Sequence, residues 1–167
     1  MKLRRLARIS LLVALALILF VVEMALPALV PVPGVKLGLA NVITVWAVYN
    51  CTPAEALLVL VSRVLLATLL SGNGAALIFS MIGGICGIAG ALALKKLFPK
   101  RRMWLNSTCS GTLHNCGQLA AAIVVTGTKD LLLYLPFLVV AGAICGALTG
   151  QIAQQLIGRL EKVFPRP

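Results

Sequence analysis

From Ile9 to Leu26 the chain runs for 18 residues with a single ionisable side chain, Glu23. At ~1.5 Å of rise per residue, a helix of that length reaches most of the way across a hydrocarbon core ~30 Å thick. Comparable apolar segments follow at about 37–50, 53–71, 75–94, 105–125 and 131–157. Hydrophobic residues make up 60% of the 167 and charged residues 11%, against roughly 25% charged in a soluble domain. A soluble fold of this size cannot bury so much apolar surface. The sequence therefore predicts an all-α membrane protein, one integral domain over 1–167 with six transmembrane helices.

The basic start followed by an apolar run imitates a secretory signal peptide. The run is longer than the roughly 7–15 residues of such a core, and no A-x-A cleavage pattern follows, so it reads as a retained helix.

A net charge of +11 would suit nucleic-acid binding in a soluble protein, but its distribution rejects that reading. Twelve of fifteen basic residues fall in three clusters: Lys2, Arg4, Arg5 and Arg8; Lys95, Lys96, Lys100, Arg101 and Arg102; and Arg159, Lys162 and Arg166. All three flank apolar segments. With six spans, the positive-inside rule puts every cluster and both termini in the cytoplasm of a multi-pass cell-membrane protein. The outer loops are then residues 27–36, 71–75 and 127–130.

"PALVPVPG" after the first span holds three prolines in seven residues and cannot be regular helix. "TPAEALLVLVSRVLLATLLSG" opens with helix-start signals: Thr52 to cap, Pro53 first and Glu55 third. Small residues recur every fourth position at Gly83, Gly87 and Ala91 and at Gly142, Gly146 and Gly150, spacing that lets helix backbones approach closely in lipid.

The costly residues are the polar ones. A charge at mid-bilayer costs at least ~2.5 kcal/mol on insertion scales, and Arg63 lies near the centre of the third span. Either it bonds inside the bundle, to an acid such as Glu23 or to carbonyls, or it meets an anionic group in a cavity. Asn41, Asn73, His114, Asn115 and Gln118 pose the same question, with His114 and Gln118 four apart on one face of the fifth span. They bond neighbouring helices or line a substrate path.

Five cysteines scattered through apolar sequence form no disulfide pattern and read as packing residues. Cys109, His114 and Cys116 do not share one helix face, so neither a metal nor another cofactor is expected. The four acids, Glu23, Glu55, Asp130 and Glu161, are far apart in sequence, and no phosphate-binding glycine loop or nucleophile elbow is present. These absences point away from an enzyme.

"PGVKLGLANVITVWAVY" (33–49), "GGICGIAGALALKKLFP" (83–99) and "SGTLHNCGQLAAAI" (110–123) resemble the Gx transporter family, also labelled heptaprenyl diphosphate synthase component I. The two labels imply different functions. The enzyme label implies a partner of a prenyl transferase whose catalytic subunit carries DDxxD motifs; this chain has none. The transporter label implies similarity to the six-helix substrate-binding S components of energy-coupling factor (ECF) vitamin transporters.

In that likeness the substrate sits near the outer face, among the loops that here hold Pro31 to Lys36, Ser71 to Asn73 and Thr126 to Asp130. Lys36 and Lys129 would border its mouth, implying an anionic small-molecule substrate. Ser10 and Ala14 would pack against a partner transmembrane subunit, and separate ATPase subunits would drive transport.

The resulting expectation is a substrate-capture subunit with Lys36, Asn41, Arg63, Asn73, His114, Asn115, Gln118 and Lys129 at its site. The rivals are a non-catalytic accessory subunit of the prenyl synthase and an autonomous carrier using His114 or Glu23 as a proton site.

Overall fold

The structure is a computed structural model describing residues 3–26 and 37–163, with side chains described up to residue 159. Among the described residues six helices make up the bundle: α1 (Leu3–Ala25), α2 (Leu39–Asn50), α3 (Pro53–Ser71), α4 (Gly74–Leu94), α5 (Met103–Thr126) and α6 (Leu135–Val163). Short 3₁₀ turns at Lys100–Arg102 and Lys129–Tyr134 lead into α5 and α6. No strand occurs among the described residues. The protein is an all-α membrane bundle, and four of its helical segments are long and apolar enough to cross a bilayer.

The helix ends follow from local chemistry. At α3, Thr52 Oγ1 accepts from the Glu55 amide at 3.3 Å and the Glu55 carboxylate accepts from the Thr52 amide at 2.8 Å, a reciprocal capping box. Gly72 and Gly127 end α3 and α5 with φ of 67° and 69°, left-handed geometry that glycine adopts without steric cost. Asn73 then starts α4 by accepting from the Ala76 amide at 3.1 Å.

Contacts at one end tie the basic segments together. Arg5 Nε and Arg8 Nη2 each donate to Glu55 Oε1 at 2.7 Å, joining the starts of α1 and α3. Lys95 Nζ donates to the Val48 carbonyl at 2.7 Å, placing a cation at the negative end of α2. Lys100 Nζ donates to Asn50 Oδ1 at 2.7 Å beside it. The α3–α4 and α5–α6 turns lie at the opposite end, so the chain alternates direction from helix to helix.

Helix α2 stands apart from the rest. Its 12 residues reach only ~18 Å, too short to span a bilayer alone. Apart from Leu39 and Asn41, every residue in it is buried. A sequence apolar on all sides needs neighbours on all sides. Helix α2 accordingly packs on α1, α3, α4 and α6 and forms the centre of the core, with Trp46, Val42 and Val48 almost fully enclosed.

Helix α5 is joined to α4 and α6 by glycines and hydroxyls. A Cβ at Gly142 would stand 2.7 Å from the Gly111 carbonyl, and one at Gly83 2.8 Å from the His114 carbonyl. Ser110 Oγ donates to the Gly87 carbonyl at 2.8 Å, and Asn115 Nδ2 to the Leu138 carbonyl at 2.9 Å. Buried Asn106 donates to Tyr49 Oη at 2.8 Å and to the Ala91 carbonyl at 3.0 Å. Such bonds satisfy in the bundle what lipid cannot satisfy.

Candidate functional site

Helix α2 begins part-way into the bundle. Its start is held by Glu23 of α1, whose carboxylate accepts from the Gly38 amide at 2.6 Å and the Leu39 amide at 3.0 Å. A carboxylate at a helix N-terminus satisfies two otherwise orphaned amides and meets the positive end of the helix dipole. Gly38, at φ 76°, permits the sharp turn that brings these amides to it.

Beside this junction lies a partly open cavity of about 150 Å³ with walls from all six helices. Its polar lining includes Glu23, Asn41, Thr44, Arg63, His114 and Gln118. Arg63 Nη2 donates to Asn41 Oδ1 at 2.5 Å, linking α3 to the first turn of α2. The Glu23 and Arg63 charges lie near enough to interact. Across the cavity His114 packs against Gly83 of α4, where a Cβ would stand 3.3 Å from its ring. Thr44 Oγ1 and Arg63 Nε are buried without partners among the described residues.

A second, larger pocket of about 280 Å³ lies between α1, α3 and α4, toward the end away from the basic clusters. Phe20, Arg63 and Ser80 line both spaces and form the partition between them. The two spaces adjoin, with the Arg63 guanidinium on the lining of both.

Five of the residues singled out from sequence, Asn41, Arg63, His114, Asn115 and Gln118, line the inner cavity. Asn73 is exposed, caps α4 and lines the outer pocket. Lys129 is exposed in the turn before α6 and lines neither space. Lys36 and Pro31 lie outside the described residues. Ser10 and Ala14 are exposed on the outer face of α1. Among the described residues, no three His, Cys, Asp or Glu side chains gather in one place.

Sequence reasoning omitted Thr44 and Ser107 from the site and did not place Glu23 at the start of α2. Thr44 stands one turn after Asn41, and that i, i+3 pairing was the available signal. The role of Glu23 carried none, because it depends on a contact between residues 15 apart in the chain and on different helices.

The sequence model of one known family, described as heptaprenyl diphosphate synthase component I, matches residues 12–156, from the first turns of α1 almost to the end of α6. No curated protein and no solved structure matches the chain.

Proposed function

The chain belongs to the heptaprenyl diphosphate synthase component I family, and from that premise we propose that it is a non-catalytic, substrate-binding membrane subunit of a small-molecule uptake system, similar to an ECF S component. The observation carrying this reading is the inner cavity. All six helices contribute to it, it is polar within an apolar bundle, and a second pocket adjoins it toward the end away from the basic clusters. Ligand sites of this kind are concave, with a few placed polar groups that orient the guest. The positive-inside rule would put the basic end in the cytoplasm, so that the adjoining pocket faces outward.

Binding rather than catalysis fits the groups available. Among the described residues Glu23 is the one carboxylate lining the cavity, and its oxygens hold the start of α2. Energy would come from separate ATPase subunits, with the outer face of α1 around Ser10 and Ala14 offered to a transmembrane partner. Mass spectrometry of small molecules co-purifying with the full chain tests the reading. A retained water-soluble compound, lost on Arg63→Gln or His114→Leu substitution, is expected; its absence from cells grown in rich medium would count against the proposal.

The family's description favours a second reading, a membrane accessory of a prenyl-diphosphate synthase. In that role the chain would meet its partner through its outer surface. Co-purification of a prenyl transferase with the chain, insensitive to changes in the cavity, would favour it.

A further inference from the structure

Arg63 stands ten residues along α3 from Pro53, about 15 Å into the bundle, and is 8% exposed. Among the described residues no acid makes an ion pair with it; the ion pairs join Glu55 to Arg5 and Arg8. Asp130 is exposed in the turn before α6, Glu161 belongs to the last turns of α6 at the basic end, and the segments outside the description contain no acid. Glu23 is near, but its oxygens receive the first amides of α2. The guanidinium bonds Asn41, a neutral amide, while its Nε–H has no acceptor. A desolvated cation so placed lacks the bidentate acceptor that its fork of donors fits.

A second group points the same way. Thr44, 6% exposed and one turn along α2 from Asn41, has a buried hydroxyl without a partner on the cavity wall. The Arg63 guanidinium and the Thr44 hydroxyl thus put two unsatisfied donors on the wall of one space.

We propose that the inner cavity takes a small anion, a carboxylate or phosphate group, whose oxygens pair with Arg63 and accept from the Thr44 hydroxyl. The fixed negative charge of Glu23 keeps this binding reversible. The inference rests on the cavity being the ligand site of the proposed function. Its volume of about 150 Å³ leaves room for an anionic group with a few further atoms. The anion is either that of a soluble molecule or the head of a lipid reaching in through the outer pocket, with which Arg63 is shared.

The test uses the full chain in nanodiscs of neutral lipid, following thermal unfolding and calorimetric binding. The probes are inorganic phosphate, diphosphate and acetate, with choline and glycerol as cationic and neutral comparisons at matched ionic strength. The anions should raise the unfolding midpoint and the comparisons should not. Arg63→Gln should weaken phosphate binding by at least about tenfold while remaining as stable as the parent without ligand, and Arg63→Lys should keep part of the affinity. Glu23→Gln should bind phosphate more tightly; if that variant does not fold, the two Arg63 variants decide.

Arg63-dependent stabilisation by phosphatidic acid in the nanodisc, with none by free anions, supports the charge pairing and assigns the anion to a lipid head. Phosphate binding unchanged in Arg63→Gln, or weaker in Glu23→Gln, overturns the proposal. If choline or glycerol binds and the anions do not, the anion inference falls while the substrate-binding reading stands. If no probe binds and no compound co-purifies, both fall.

Discussion

A single carbon decides how closely α5 and α6 approach. At Gly142 a Cβ would stand 2.7 Å from the Gly111 carbonyl, and at Gly158 it would meet nothing within 4 Å. Gly142→Val should lower stability by about 1–3 kcal/mol through overpacking against rigid backbone. Gly158→Ala should raise it by roughly 0.5–1 kcal/mol by removing backbone freedom from the unfolded chain. Thermal unfolding of the two variants in one detergent separates these opposite signs. Asn106 presents the polar counterpart. Its amide donates to both Tyr49 Oη and the Ala91 carbonyl, so Asn106→Leu should cost about 1–3 kcal/mol, and the near-ultraviolet circular dichroism of Tyr49 should change with it. The small-residue spacing was legible in the sequence, since a four-residue repeat maps directly onto one helix face. Which helix that face meets was not, because the repeat carries no information about its partner.

Helix by helix, the ends are better specified than the lengths. The Thr52, Pro53 and Glu55 signals place the start of α3 by local rules alone, and the capping box follows from them. Glu55 also accepts from Arg5 and Arg8, so it joins the cap to the start of α1. Thr52→Ala should cost about 1 kcal/mol, the ordinary worth of a cap. Glu55→Ala should cost about 2 kcal/mol, since it also removes the acceptor of the largely buried Arg8. The difference between the two denaturation midpoints checks the added role. Helix α2 shows what local rules miss. Its apolar sequence runs back to Leu37, yet regular helix begins at Leu39, where Glu23 takes the first amides. Amides from Val42 to Asn50, buried on all sides, should exchange with deuterium only through global unfolding, whereas those of exposed Ala75 and Gly74 in the first turn of α4 should exchange first.

For the molecule as a whole, charge and hydropathy set the frame. Arg5 and Arg8 meeting Glu55, with Lys95 and Lys100 meeting the end of α2, put two basic clusters at one end of the bundle. Single cysteines introduced at Lys96 and at Gly127, in a background lacking the native five, should therefore be labelled from opposite sides of the membrane. A membrane-impermeant thiol reagent should reach only the Gly127 site in intact cells. Labelling of both sites from one side would remove the outward-facing assignment of the larger pocket. The membrane class, the helical character and the identity of the costly polar residues were determined by the sequence itself. Hydropathy, charge clusters and capping pairs are properties of neighbours along the chain, and they act wherever the helices finally lie. Tertiary structure alone decided that Arg63, Asn41, His114 and Gln118 share one cavity, that Lys129 lies away from it, and that Glu23 holds α2 while leaving Arg63 without a carboxylate in contact. Each depends on the rotation and depth of one helix against another, which the packing of the whole bundle sets and no local pattern encodes.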